Sequence, residues 1–169
     1  MRLSLSMLLA GLLMPALSAD DKSATPKSLD PTLAKMATMI GGVWTNDNPQ
    51  FRVEFRYDWA FNKSAVRGLG VIDKGGKQET PVEATFGFDP VKKSVYYLDL
   101  HGSERIYKGG VRFDGDTVVL EFETLVGPPA KWRSLGKFPD NDTYEFTVFS
   151  DKNGQWEPVV KQTLKRKQS

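Results

Sequence analysis

Phe51-Arg52-Val53-Glu54-Phe55-Arg56-Tyr57-Asp58-Trp59-Ala60-Phe61 alternates without a fault. Phe51, Val53, Phe55, Tyr57, Trp59 and Phe61 share one parity; Arg52, Glu54, Arg56, Asp58 and Ala60 share the other. Successive side chains of a strand point to opposite faces. The segment therefore predicts a long β-strand with one buried face and one wet face.

The same alternation recurs downstream. Val82, Ala84, Phe86 and Phe88 fall on one face, as do Val118, Leu120 and Phe122, and again Tyr144, Phe146 and Val148. Turn chemistry separates these runs: Asn62-Lys63-Ser64, Asp73-Lys74-Gly75-Gly76, Asp89-Pro90, Gly102-Ser103, Asp114-Gly115-Asp116, Gly127-Pro128-Pro129, Pro139-Asp140-Asn141-Asp142 and Asp151-Lys152-Asn153-Gly154. Such spacing predicts about eight to ten hairpin-linked strands. Gly68 and Gly70 predict a bend or bulge in their strand. An antiparallel meander this long loses its free edges by closing into an up-and-down barrel, with a two-sheet sandwich as the competing architecture.

Upstream, Asp30-Pro31 supplies an N-cap and a first-turn proline for a short helix. Leu33, Met36, Ala37 and Ile40 give that helix one apolar stripe, and Gly41-Gly42 ends it. It is placed to plug a barrel end.

Residues 1–19 read as a secretory signal peptide: Arg2, an apolar run, Pro15, then small residues up to Ala19. Residues 20–29 read as a flexible spacer and 30–169 as one barrel domain, long enough for a proper core. The expected compartment is periplasmic or extracellular. There is no cysteine, so stability must come from core and sheet, and thiolate or Cys-zinc chemistry is excluded. Arg2 is the leader's one charge, so cleavage takes 23 Lys+Arg to 22, against 21 Asp+Glu. That near-neutral balance provides no field for nucleic acid. No apolar run follows the leader, so no stable membrane insertion is expected after cleavage. The expected state is a monomer or weak dimer.

Gly42-Val43-Trp44, after a short helix and opening the first strand, resembles the Gly-x-Trp signature of lipocalin and calycin barrels. The resemblance implies that Trp44 closes one barrel end and that a basic residue of the last strand, Arg166 or Lys165, packs over it. The Thr-Asp-Tyr motif of typical lipocalins is absent, and the chain looks more like secreted bacterial lipocalin-like domains of unknown function. Nitrobindin-type haem barrels are similar in opening on a Gly-x-Trp element and having ten strands. Asn46 and Asn48 stand where those barrels carry further glycines, and no histidine lies near the C terminus, where their haem ligand sits. No cofactor is expected.

Catalytic signatures are sparse. His101 is the single histidine. Asp99 shares its parity, and Glu104 follows in the turn. These three are the candidates for a general base oriented by a carboxylate. Gly102-Ser103 beside His101 predicts instead a solvated hairpin residue. One histidine without cysteine does not build a typical zinc site. Glu54 with Asp58, and Glu121 with Glu123, lie opposite the aromatic faces and read as water-facing charges.

The aromatic faces supply the leading expectation. Phe55, Tyr57, Phe86 and Phe88 come from the first half of the barrel; Tyr97, Phe122, Tyr144 and Phe146 come from the second. Together they predict an interior site for a small hydrophobic or amphipathic ligand, oriented by the tyrosine hydroxyls. One alternative is an envelope enzyme using His101. Another is an assembly domain with no ligand, working through Tyr96, Leu98, Val119 and Phe149 on the outer face.

Overall fold

The structure is a computed structural model that describes residues 29–76 and 79–168. The expected leader, and the spacer apart from its last residue, lie outside the described residues.

Asp30 caps the helix as its sequence predicts. Its carboxylate accepts from the backbone amides of Thr32 and Leu33, satisfying two donors the first turn leaves free. The helix, α1 (Pro31–Met36), runs into a 3-10 turn, Ala37–Met39. Leu33, Met36 and Met39 are buried.

Ten strands follow: β1 (Val43–Thr45), β2 (Arg52–Ala60), β3 (Ala65–Asp73), β4 (Glu79–Asp89), β5 (Ser94–His101), β6 (Arg105–Asp114), β7 (Thr117–Val126), β8 (Lys131–Asp140), β9 (Thr143–Lys152) and β10 (Gln155–Lys167). Each pairs antiparallel with its sequence neighbours. β1 pairs with both β2 and β10, closing the barrel. The short β1 bridges the two ends of the meander, covering Lys165–Lys167 of β10 and Glu54–Phe55 of β2. The sandwich alternative is thereby overturned.

The register follows the side-chain parity. Val53, Phe55 and Tyr57 are buried on the inner face of β2, while Arg52, Arg56 and Asp58 are exposed. Outside, charges pair across strands: Arg67 with Glu83, Lys108 with Glu123, and both Arg112 and Arg133 with Glu121. The expected water-facing role of Glu121 and Glu123 is what these pairs display.

Three local expectations are corrected. Phe61 does not continue the buried face. The strand ends at Ala60, and Phe61 takes a left-handed φ of 49° and is 73% exposed. Gly68 and Gly70 carry no bulge, because β2 and β3 stay in unbroken register there. Their role is space: a Cβ on Gly68 would lie 2.5 Å from the Tyr57 ring, and one on Gly70 would run into the backbone oxygen of Glu54. The register shifts fall elsewhere, at Ile106/Tyr107, Lys137/Asp140 and Pro158/Val160. Finally, the outer positions do not form an exposed patch, since Val119 is buried and Leu98 and Phe149 are half-buried; Tyr96 alone of the four is exposed.

The two barrel ends differ. At one, α1 and Trp44 close the interior. Trp44 is fully buried, its indole N–H donates to the Met39 carbonyl at 2.7 Å, and Arg166 lies over its ring. The opposite end gathers the β1–β2, β3–β4, β5–β6, β7–β8 and β9–β10 connections.

Candidate functional site

The inner faces do not meet. They enclose a cavity of about 330 Å³. Met36 and Met39 from the helical segment form its floor. Its mouth lies at the other end, where Phe51 opens β2, His101 ends β5, Arg105 opens β6 and Lys74 sits in the β3–β4 loop.

Seven of the eight aromatic residues expected at a ligand site line this cavity: Phe55, Tyr57, Phe86, Tyr97, Phe122, Tyr144 and Phe146. They pack as touching rings. Phe55 and Tyr57 stack at 5.7 Å between centroids, Phe86 and Tyr97 at 5.3 Å, and Tyr144 and Phe146 at 5.3 Å. Phe88 is the exception. Its parity is inward, but it sits one residue from the end of β4, where α1 packs, and it joins the core instead of the cavity wall.

A polar line crosses this apolar wall. Tyr97, Asp99 and His101 occupy alternate positions on β5, so all three face inward. The Tyr97 hydroxyl donates to Asp99 Oδ2 at 2.6 Å, and His101 Nε2 lies 2.8 Å from the same oxygen. A carboxylate oxygen taking both bonds makes Nε2 a protonated ring nitrogen, so that in the neutral ring Nδ1 carries the free lone pair. Asp99 Oδ1 is buried and has no hydrogen-bond partner among the described residues. A buried carboxylate so incompletely satisfied weakens the fold, which points to a role other than stability.

The expectation of a solvated His101 is therefore corrected. The Gly102-Ser103 turn begins one residue later, and His101 is the last inward-facing residue of β5. Its side chain is 25% exposed, and its ring meets Tyr107 edge-on at 5.1 Å. Glu104 is not part of the group. It lies exposed in the turn and does not line the cavity. No serine bonds to His101 among the described residues, so no Ser-His pair forms. Nor do three His, Asp or Glu side chains converge as a metal set among those residues.

Tyr57 and Tyr144 reach the cavity from other walls, β2 and β9. Burial, then the nearby Tyr144 and Asp99, pushes the Tyr57 phenol well above its usual range. Burial does the same to Tyr144. Tyr97 is raised by burial first, then by the negative charge of Asp99 and the hydrogen bond to it. All three therefore remain neutral phenols at ordinary pH, able to donate or accept a hydrogen bond.

Sequence reading missed several lining residues. Tyr107, Trp132 and Ser134 belong to strands whose alternation is short or interrupted by glycine. Lys74 lies in the β3–β4 loop and Arg105 at the start of β6, where parity carries little information. Met39 falls outside the helical stripe because the last turn tightens to 3-10 geometry.

No protein-family model matches the chain, and no curated protein matches it. The class is thus set by the fold alone: a closed ten-stranded antiparallel barrel, compatible with a calycin-like architecture, with an interior cavity open at one end.

Proposed function

We propose that this protein is an exported, lipocalin-like carrier that takes one small hydrophobic or amphipathic molecule into its barrel. The observation carrying this reading is the cavity: aromatic walls around a few inward-facing polar groups, with one end plugged and the other open. Its volume lies at the lower end of the range for small-molecule pockets. Burial of the ligand's apolar body would supply affinity, and the Tyr97-Asp99-His101 line with Tyr57 and Tyr144 would orient it. The charged outer face supports a water-soluble monomer or weak dimer rather than a membrane-inserted barrel. No helix among the described residues is long and apolar enough to cross a membrane.

Native mass spectrometry of the protein after exposure to a lipophilic cell extract tests the reading. It expects a single small-molecule adduct that is lost on denaturation. A bare chain mass under all such conditions contradicts it.

A second reading is favoured by one observation, the convergence of His101 and Asp99 inside the cavity. With Nε2 held by Asp99, His101 Nδ1 would act as a general base on a bound molecule. Conversion of a captured ligand, abolished by His101→Gln, supports it; unchanged recovery of every captured ligand removes it.

A further inference from the structure

The charged groups of the cavity are segregated along its axis. Lys74, His101 and Arg105 all line the mouth end. His101 and Arg105 are direct partners across β5 and β6. Lys74 and Arg105 are exposed, and among the described residues no ion pair or hydrogen bond engages either side chain. Asp99 is the one carboxylate lining the cavity among the described residues, and it lies inside the mouth, bonded to Tyr97 and His101. The rest of the wall is aromatic and aliphatic apart from the hydroxyls of the tyrosines, Ser134 and Thr80.

This arrangement gives a ligand's charge two very different places to sit. A carboxylate carried deep would be desolvated and would face Asp99, a like charge in a medium of low dielectric. The same carboxylate at the mouth would keep part of its hydration and meet two cations with unused donors. An amine would have to pass two cations at the mouth to reach Asp99, whose Oδ2 already takes two donors and whose Oδ1 alone is open.

Building on the carrier reading, we infer that the ligand is an anionic amphiphile of the carboxylate class. It binds tail-first, with its acid head held at the mouth by Lys74 and Arg105. The selectivity is electrostatic and local, so it is set by these two side chains rather than by net charge. His101 joins the mouth as the hydrogen-bonded hinge between the cationic rim and the polar interior.

Calorimetric titration with three probes of identical tail (decanoate, decanol and decylamine) tests the inference. The wild type is expected to bind decanoate at least about tenfold more tightly than either other probe, the scale of one charge-assisted hydrogen bond. That preference should shrink as salt rises from about 0.05 M to about 0.5 M. In Lys74→Gln/Arg105→Gln the ratio of acid to alcohol affinity should fall to near one. Both side chains are exposed, so circular dichroism should show the fold retained. Equal affinities in the wild type, a preference for the amine, or an acid preference that survives the double substitution would each overturn the inference and leave the carrier reading standing. Failure of all three probes to bind would overturn both.

Discussion

The guanidinium of Arg166 lies 4.5 Å over the ring of Trp44, joining the last strand to the first where the barrel closes. The same group donates to the carbonyls of Thr38 at 2.5 Å, Ile40 at 3.1 Å and Asn141 at 2.7 Å. Helix end, β8–β9 turn and β1–β10 seam are thus fastened by one side chain. Arg166→Ala should lower unfolding free energy by about 2–4 kcal/mol, combining a cation–π contact with lost charge-assisted bonds. Arg166→Lys should fall between, because an ammonium keeps the charge but not the fork. Urea denaturation checks the order; a stability for Arg166→Ala within error of the wild type would show that the clasp is decorative.

The cross-strand glycines give a second prediction. Both Gly68 and Gly70 sit beneath aromatic rings of β2, but what an added methyl meets differs. At Gly68 it meets the Tyr57 ring, which can shift; at Gly70 it meets a backbone oxygen, which cannot without moving the strand. Gly68→Ala should cost about 1–3 kcal/mol, and Gly70→Ala more. Equal costs, or the reverse order, would contradict the steric account.

Alkaline pH should destabilise the fold. Tyr57, Tyr97 and Tyr144 hold their protons more tightly when folded than when unfolded. The unfolded chain therefore binds fewer protons above about pH 10, the ordinary phenol pKa, and stability falls as pH rises beyond it. Tyrosinate absorbance should develop together with loss of circular dichroism for these three. Smooth titration of all five tyrosines in a folded protein would refute their burial.

Because Asp99 Oδ2 receives His101 Nε2, the imidazole should be the Nε2–H tautomer when neutral. Nitrogen-15 NMR of the ring reads this directly. Asp99→Asn should abolish the preference, since an amide can donate as well as accept. A wild-type ring protonated at Nδ1 would remove the proposed general base along with the tautomer.

Much of the barrel was legible because period-2 burial is a strong signal wherever one face is apolar and the other charged, as from Val53 to Asp58. Hairpin turns added order and direction. The chain closure was carried by Gly42, Trp44 and Arg166, whose inferred stacking is what the structure contains. The site was only partly legible. Parity identified seven aromatic wall residues but could not tell Phe88, near the helix-closed end, from Phe86 in the wall. His101 was obscured because turn residues adjoin it, and a strand's last residue has no following alternation to fix its face. Gly68 and Gly70 were half legible for a related reason: glycine marks a bulge or a close approach as readily as a bend, and the unbroken register with the Tyr57 and Phe55 rings lying across them excludes the bulge and shows the close approach.

The most direct test of an occupied barrel is a titration with the apolar reporter dye anilinonaphthalene sulfonate, wild type against Ala84→Phe. Ala84 is a buried wall residue, so the larger ring takes up cavity space without touching the outer face. Saturable binding of one dye per wild-type chain, lost in a folded Ala84→Phe variant, is the predicted result. Equal binding by both proteins would place the dye outside the barrel and contradict the account.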